Sequence, residues 1–183
     1  MKFKNWKLVS IEAIQPEEFY QLIQDNKSHI ENTFPVTVAN CSDLQKTKEF
    51  LRKNAQKQLK KEGYYFYIRN TETEKLIGYT CIKNVNLDIL KCELAYFIDA
   101  QFEGKGIISR TIAQILTYCF KELNMNKVFI CTSKINAGSQ RIALKHGFQK
   151  EGVLRQEFKN GQGILEDIVY FGLLQTDYKP NEN

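Results

Sequence analysis

The stretch FIDAQFEGKGIISRTIAQIL, residues 97–116, constrains this chain more than any other. An apolar run ends at Asp99, a short turn holds Gly104 and Gly106, and an amphipathic pattern starts at once. Its apolar positions, Ile108, Ile112, Ile115, Leu116, Cys119 and Leu123, recur with the period of a helix. A strand delivered through glycines into a helix start is an anion site on physical grounds. The first helical turn carries unpaired N–H groups and a partial positive charge, and glycine lets the main chain approach the ligand. Lys105, between the glycines, adds a cation. The apolar run Lys127–Thr132 follows, and two strands joined by a helix pair in parallel through a right-handed crossover.

The rest of the chain surrounds this unit with antiparallel signals. Residues 5–11 read as a strand, and Pro16-Glu17-Glu18 as a helix start. Residues 28–41 read as irregular. Ser42-Asp43-Leu44-Gln45 matches a capping box, opening a helix to about Glu62 that Gly63 is placed to end, with Leu44, Leu51, Ala55 and Leu59 on one face. Tyr64–Arg69 and Leu76–Lys83 form a hairpin, and Cys92–Asp99 is the strand before the glycines. Ala137–His146 is a short helix ending at Gly147. Phe148–Glu157 and Ile164–Leu174 make a closing hairpin around the turn 159–163. The order predicts one domain over residues 1–183, a mixed α/β (α+β) layer fold. Ligand space is expected at the carboxyl end of the strand before the glycines.

Composition excludes several classes. Net charge is +5, from 26 Lys+Arg against 21 Asp+Glu, too mild to announce a nucleic-acid binder, and no direct nucleic-acid role is expected. No apolar run approaches the roughly 20 residues that span a bilayer. Met1–Lys7 is basic with no apolar segment behind it, so no signal peptide and a cytoplasmic location are expected. Cys41, Cys81, Cys92, Cys119 and Cys131 are odd in number and widely spaced, which predicts buried free thiols. They and the two histidines, His29 and His146, lack ligand spacing, so no metal is expected.

Three phosphate motifs compete for the glycine turn. Gly106-Ile107-Ile108 does not supply the Lys-Ser/Thr of a P-loop, and Ser109 stands where a dinucleotide fold wants a third glycine. Gln101-Phe102-Glu103-Gly104-Lys105-Gly106 fits the Gln/Arg-x-x-Gly-x-Gly/Ala pattern, and here the sequence resembles the GCN5-related N-acetyltransferases (GNAT). Asn136-Ala137-Gly138-Ser139, Gly147-Phe148, Glu151-Gly152 and Asn160-Gly161 fall where that superfamily puts its second cofactor segment and closing hairpin. Together they resemble the ribosomal-protein (RimJ/RimL-type) branch, over most of the chain and most strongly over residues 92–173.

The resemblance implies a mostly antiparallel sheet of about seven strands flanked by about four helices, and acetyl transfer from acetyl-CoA to an amine. It implies that main-chain N–H groups from about Phe102 through Glu103, Gly104, Lys105, Gly106 and Ile107 ring the pyrophosphate. The exposed main chain of Phe97 and Ile98 would pair with the pantetheine arm, and Asn136 would bond the cofactor from the other side. Many relatives place a tyrosine acid where this chain has Ala143, so Ser139 is the candidate partner of the leaving thiolate. As a plain helix-cap hydroxyl, Ser139 would bond only to backbone. Glu157 matches the carboxylate of the branch. Glu93 is its rival, facing either solvent or the cleft. A Cys131 acyl-enzyme is disfavoured because no histidine stands near it in sequence.

The expected acceptor is a protein N-terminal α-amine, with a polyamine or amino sugar as rivals, and a silent CoA-binding module as the non-enzyme alternative. Lysines and arginines on residues 46–61 present a face for an acidic protein or ribosomal RNA, against the ordinary reading of a solvated helix face. Tyr64, Tyr65, Phe66 and Tyr67, with the final hairpin, are candidates for a homodimer surface.

Overall fold

A computed structural model describes residues 5–180, so the first four residues of the basic segment Met1–Lys7 lie outside the described residues. Its elements are β1 (Trp6–Ser10), α1 (Pro16–Asp25), α2 (Lys27–Ile30), α3 (Pro35–Asn40), α4 (Leu44–Leu59), β2 (Tyr64–Asn70), β3 (Leu76–Asn86) and β4 (Lys91–Ile98). They continue as α5 (Ile107–Thr117), β5 (Lys127–Ser133), α6 (Ala137–Lys145), β6 (Gln149–Lys159) and β7 (Leu165–Leu174). The strands form one seven-stranded sheet in the order β1-β2-β3-β4-β5-β7-β6. Every pair is antiparallel except β4 with β5, joined through α5.

That parallel pair is short. Register runs only from Lys91↔Lys127 to Glu93↔Phe129, after which β4 has no partner on its β5 side. Antiparallel neighbours hold β4 on one flank and β5 on the other, so the sheet splits open in its middle. The split puts the cleft where the sequence predicts ligand space.

Two apolar clusters cover the faces of the sheet. One gathers α5 with the strand residues Ile82, Leu94, Val128 and Phe171. The buried positions Ile108, Ile112, Ile115, Leu116 and Cys119 are the helical stripe read from the sequence. The other packs α1 and α4 against β2–β4, with Phe19 meeting Tyr67 and Tyr79 at ring centroids of 5.2 and 5.4 Å. Burying such rings contributes roughly 1.5–3 kcal/mol each.

Several local expectations shift. Six α-helices replace the expected four or so, because residues 28–41 hold α2 and α3 rather than irregular chain. Asp43, not Ser42, caps α4, its Oδ1 accepting from Lys46 N–H at 2.8 Å. The helix ends at Leu59, and Lys61 takes the left-handed turn (φ 59°) expected of Gly63. Leu59 is 85% exposed, because Thr47 and Asn54 take the inner face beside Leu51. The aromatic run is consumed within the chain: Tyr65 and Tyr67 are buried, while Tyr64 and Phe66 pack edge-on to Tyr118 at 5.7 and 5.6 Å. These rings therefore offer little free surface for a dimer. All five cysteines are free thiols.

Candidate active site

The open split between β4 and β5 widens into a cleft of about 1290 Å³, larger than ordinary small-ligand sites. At one end lies the glycine turn. Asp99 caps a short 3-10 turn over Ala100–Phe102, and Gly104 and Gly106 follow at φ 70° and 72°. Both lie in the left-handed region, which glycine enters without steric cost. Phe102 N–H donates to Asp99 O at 2.8 Å and Glu103 N–H to Ala100 O at 3.3 Å, so these two expected anion donors are engaged inside the turn. Among the described residues, the N–H groups of Gly104 through Ser109 have no acceptor, and they form the open set. Lys105 turns aside, its Nζ lying 4.7 Å from the centre of the Phe102 ring.

Two side chains remote in sequence fix this turn. Asn26, 3% exposed, accepts Ala100 N–H at 3.0 Å through Oδ1 while donating to Leu22 O at 3.0 Å. His29 Nε2 lies 3.2 Å from a Glu103 carboxylate oxygen. Behind the first turn of α5, Ser109 Oγ meets His146 Nε2 at 3.1 Å. Burial pushes His146 below the usual imidazole range, favouring its neutral form at neutral pH.

β4 forms one wall. Phe97 and Ile98 bury their side chains in the two separate cores, leaving their main chain to the cleft. Tyr96 projects its hydroxyl to 3.0 Å from Ser139 Oγ. Ser139 therefore does more than cap a helix, because its oxygen pairs with a phenol rather than with backbone. The capping role belongs to Asn136, whose Oδ1 accepts Ser139 N–H at 3.0 Å, with its amide nitrogen left as a donor beside the cleft. Burial pushes the Tyr96 phenol up to about 12, so it stays protonated across the working range of pH. Ala143, at the position where relatives carry tyrosine, is fully buried in the core. Sequence reading missed Tyr96. Its only signal there is alternation: it lies on the same strand face as Leu94 and Ile98.

The opposite end holds the carboxylates. Glu93 faces the cleft, not solvent, and is 7% exposed. Lys83, its cross-strand partner, reaches Glu93 Oε1 at 3.1 Å, and Asn84 donates to Oε2 at 2.6 Å. Asn84 arrives through an irregularity in β3 with φ 49°. Glu157 comes from a bulge in β6, where register jumps from Leu154↔Ile168 to Phe158↔Glu166. Gln156 sits there at φ 51°, and its N–H donates to Asp167 at 2.9 Å. The bulge re-aims Glu157, which lines the cleft, is exposed, and has no hydrogen-bond or ion-pair partner among the described residues. Cys131 feels both carboxylates, but burial comes first in pushing its thiol up to about 12, which keeps it from acting as a thiolate. Gly161, in the β6–β7 turn, comes so close to the Glu31 carbonyl that a Cβ would collide with it.

The residues present fit an acyl-CoA. Gly104–Ser109 offer N–H groups for a pyrophosphate, and unpaired β4 main chain offers a ladder for an extended amide arm. Fold and cleft together define a CoA-dependent acyltransferase. Residues 9–149 match the model of the acetyltransferase (GNAT) domain, and the chain belongs to that family; it is an acetyl-CoA-dependent N-acetyltransferase.

Among curated relatives, YdaF of Bacillus subtilis strain 168, named provisionally as a ribosomal N-acetyltransferase, is 35% identical over 104 residues. That match spans 57% of this chain and only 56% of the relative's own length. The ribosomal-protein-serine acetyltransferase of Escherichia coli K12 is 27% identical over 144 residues, 77% of this chain and 78% of that protein. Among solved structures, the spermidine N-acetyltransferase of Vibrio cholerae with CoA and spermine superposes with a TM-score of 0.79 at 21% identity. It covers 96% of this chain and 99% of that one, a likeness of fold. No helix among the described residues is long and apolar enough to cross a membrane.

Proposed function

We propose that this chain, acting as one domain, acetylates a protein N-terminal α-amine. The observation that carries the reading is Glu157, the exposed and unpartnered carboxylate that a bulge holds in the cleft. A free carboxylate suits an α-amine, whose pKa near 8 already leaves a fraction neutral at working pH, so a weak base suffices. The match to a ribosomal-protein-serine acetyltransferase over three quarters of the chain supports it.

A polyamine needs anionic places for its distal ammonium groups. Of the four glutamates lining the cleft, Glu93 is already bound to Lys83, and Glu103 is in contact with His29. Only Glu62 and Glu157 remain open, which favours an acceptor with a single reacting cation.

In this reading acetyl-CoA supplies an activated acetyl thioester. The N–H groups of Gly104–Ser109, with the main chain of Phe97 and Ile98, hold and orient it, and Asn136 Nδ2 steadies it from α6. Glu157 accepts the proton of the incoming amine at a carboxylate oxygen. Ser139 Oγ holds a proton beside Tyr96 Oη, and Tyr96 keeps that hydroxyl aimed into the cleft. Glu93, bound on both oxygens, shapes the wall rather than moving protons. The Ser139–Tyr96 pair gives this cleft the hydroxyls that Ala143 withholds, which favours a working enzyme over a silent CoA-binding module.

The test is acetylation of N-terminal peptides against spermidine and an amino sugar, read by free-CoA release, with mass spectrometry locating the acetyl group. Peptides acetylated at the α-amine are expected. Turnover of spermidine alone overturns the reading.

A further inference from the structure

Beside the main cleft lies a second chamber of about 360 Å³ between α3 and α4. It shares Val36, Phe50, Asn54, Lys57 and Glu62 with the cleft and adds Lys53 and Lys60. Its place follows from strand register. Tyr65, Cys81 and Ala95 lie side by side, so Glu62 and the last turn of α4 sit level with Glu93. The glycine turn begins past Ile98, five residues further along β4, or about 17 Å at the rise of a strand. The chamber therefore opens from the end of the cleft away from the glycine turn.

Its chemistry is cationic, three lysines against Glu62, with the amides Asn40, Asn54 and Gln56. Lys53 is tied to Glu49 at 2.8 Å, whereas neither Lys57 nor Lys60 has a carboxylate within 4.0 Å among the described residues. Asn54 is 4% exposed, and its side-chain nitrogen is buried with no acceptor. A buried amide donor without a partner costs roughly 1–3 kcal/mol, a cost that a ligand oxygen reaching it would offset. Phe50 and Val36 supply an apolar flank for the stem of a side chain. Glu62 at the rim is the one opposing charge, in place to repel a second carboxylate.

We infer that this chamber is an acceptor subsite that takes one carboxylate, from an acidic side chain a few residues behind the amine that is acetylated. The carboxylate accepts from Asn54 Nδ2 and from the ammonium groups of Lys57 and Lys60. This rests on the protein N-terminus reading of the preceding section and narrows it to acidic N-terminal peptides.

The test compares two peptides on the full chain at saturating acetyl-CoA, one with Asp or Glu at positions two to five and its Asn or Gln isostere. The acidic peptide is expected to have a kcat/KM about tenfold higher through KM, the effect of one charge-assisted hydrogen bond. In Lys57→Gln/Lys60→Gln that ratio falls to about one. In Lys57→Glu/Lys60→Glu it inverts in favour of a peptide carrying Lys at those positions. Added salt shrinks the preference of the unaltered protein. Equal kcat/KM for both peptides, or a preference that survives the lysine substitutions, overturns the subsite while leaving the α-amine reading standing. Acetylation of spermidine with no peptide accepted overturns both.

Discussion

The two ends of the cleft are built by different means. At the glycine-turn end the open groups are main-chain N–H groups, presented by a turn whose two glycines take the left-handed conformation. At the carboxylate end the groups are side chains brought together from α4, β3, β4 and β6, with Asn84 and Glu157 aimed by a kink in β3 and a bulge in β6. A site made of backbone tolerates changes of side chain and fails when the backbone changes. A site made of side chains does the reverse.

Substitutions can break this contrast. The largest effect is expected from Glu157→Gln, which should lower kcat at least 100-fold, in the range of general-base loss, with the acetyl-CoA Kd from calorimetry unchanged. An equal loss of cofactor affinity would erase the distinction between the ends. Gly104→Val/Gly106→Val should act in the opposite sense. Each left-handed residue then costs roughly 1–2 kcal/mol, so the acetyl-CoA Kd should rise about 100-fold for the pair.

A smaller effect sharpens the middle of the cleft. Tyr96→Phe and Ser139→Ala should each lower kcat about tenfold, and the double variant little further, because the two hydroxyls act as one unit. Additive losses would separate their roles.

The smallest prediction concerns the frame rather than the site. Arg69 binds Glu18 at 2.6 Å and holds its carboxyl below the ordinary 4.5. A depressed carboxylate contributes stability above its unfolded pKa and loses it as pH falls through the folded value. Glu18→Gln should therefore lower Tm at pH 7 by several degrees, about 2 kcal/mol, and flatten the fall in Tm below pH 4.5. Both effects should appear without change in acetyl-CoA affinity.

The split between backbone and side chain also explains what could be read in advance. The glycine turn, the helix behind it and the parallel crossover were legible, because glycine positions and apolar periods are local facts. Even there, the engagement of Phe102 and Glu103 N–H in a 3-10 turn depended on a cap by Asp99 that spacing did not reveal. Glu157 and Ser139 could be named only through resemblance, and Tyr96 not at all, because nothing local marks a tyrosine in a strand as facing a cleft. Residues 28–41 read as irregular because α2 and α3 are short and gain their order by packing against α4 and the rest of the sheet's cover.

By itself, then, the sequence determined the glycine turn between a strand and a helix, the parallel crossover around it and the free thiols, four of the five buried. The turn and the helix behind it depend on residues within a turn or two of one another, and the thiols on residue type and surrounding apolar pattern. Tertiary structure alone decided the opening of β4 from β5, the clamp of Asn26 on the glycine turn, the meeting of Tyr96 with Ser139, the pairing of Glu93 with Lys83 and Asn84, and the cationic chamber beside α4. The clamp and the Tyr96–Ser139 contact join residues 74 and 43 apart in the chain, and the rest depend on how neighbouring elements pack, which local preference does not select.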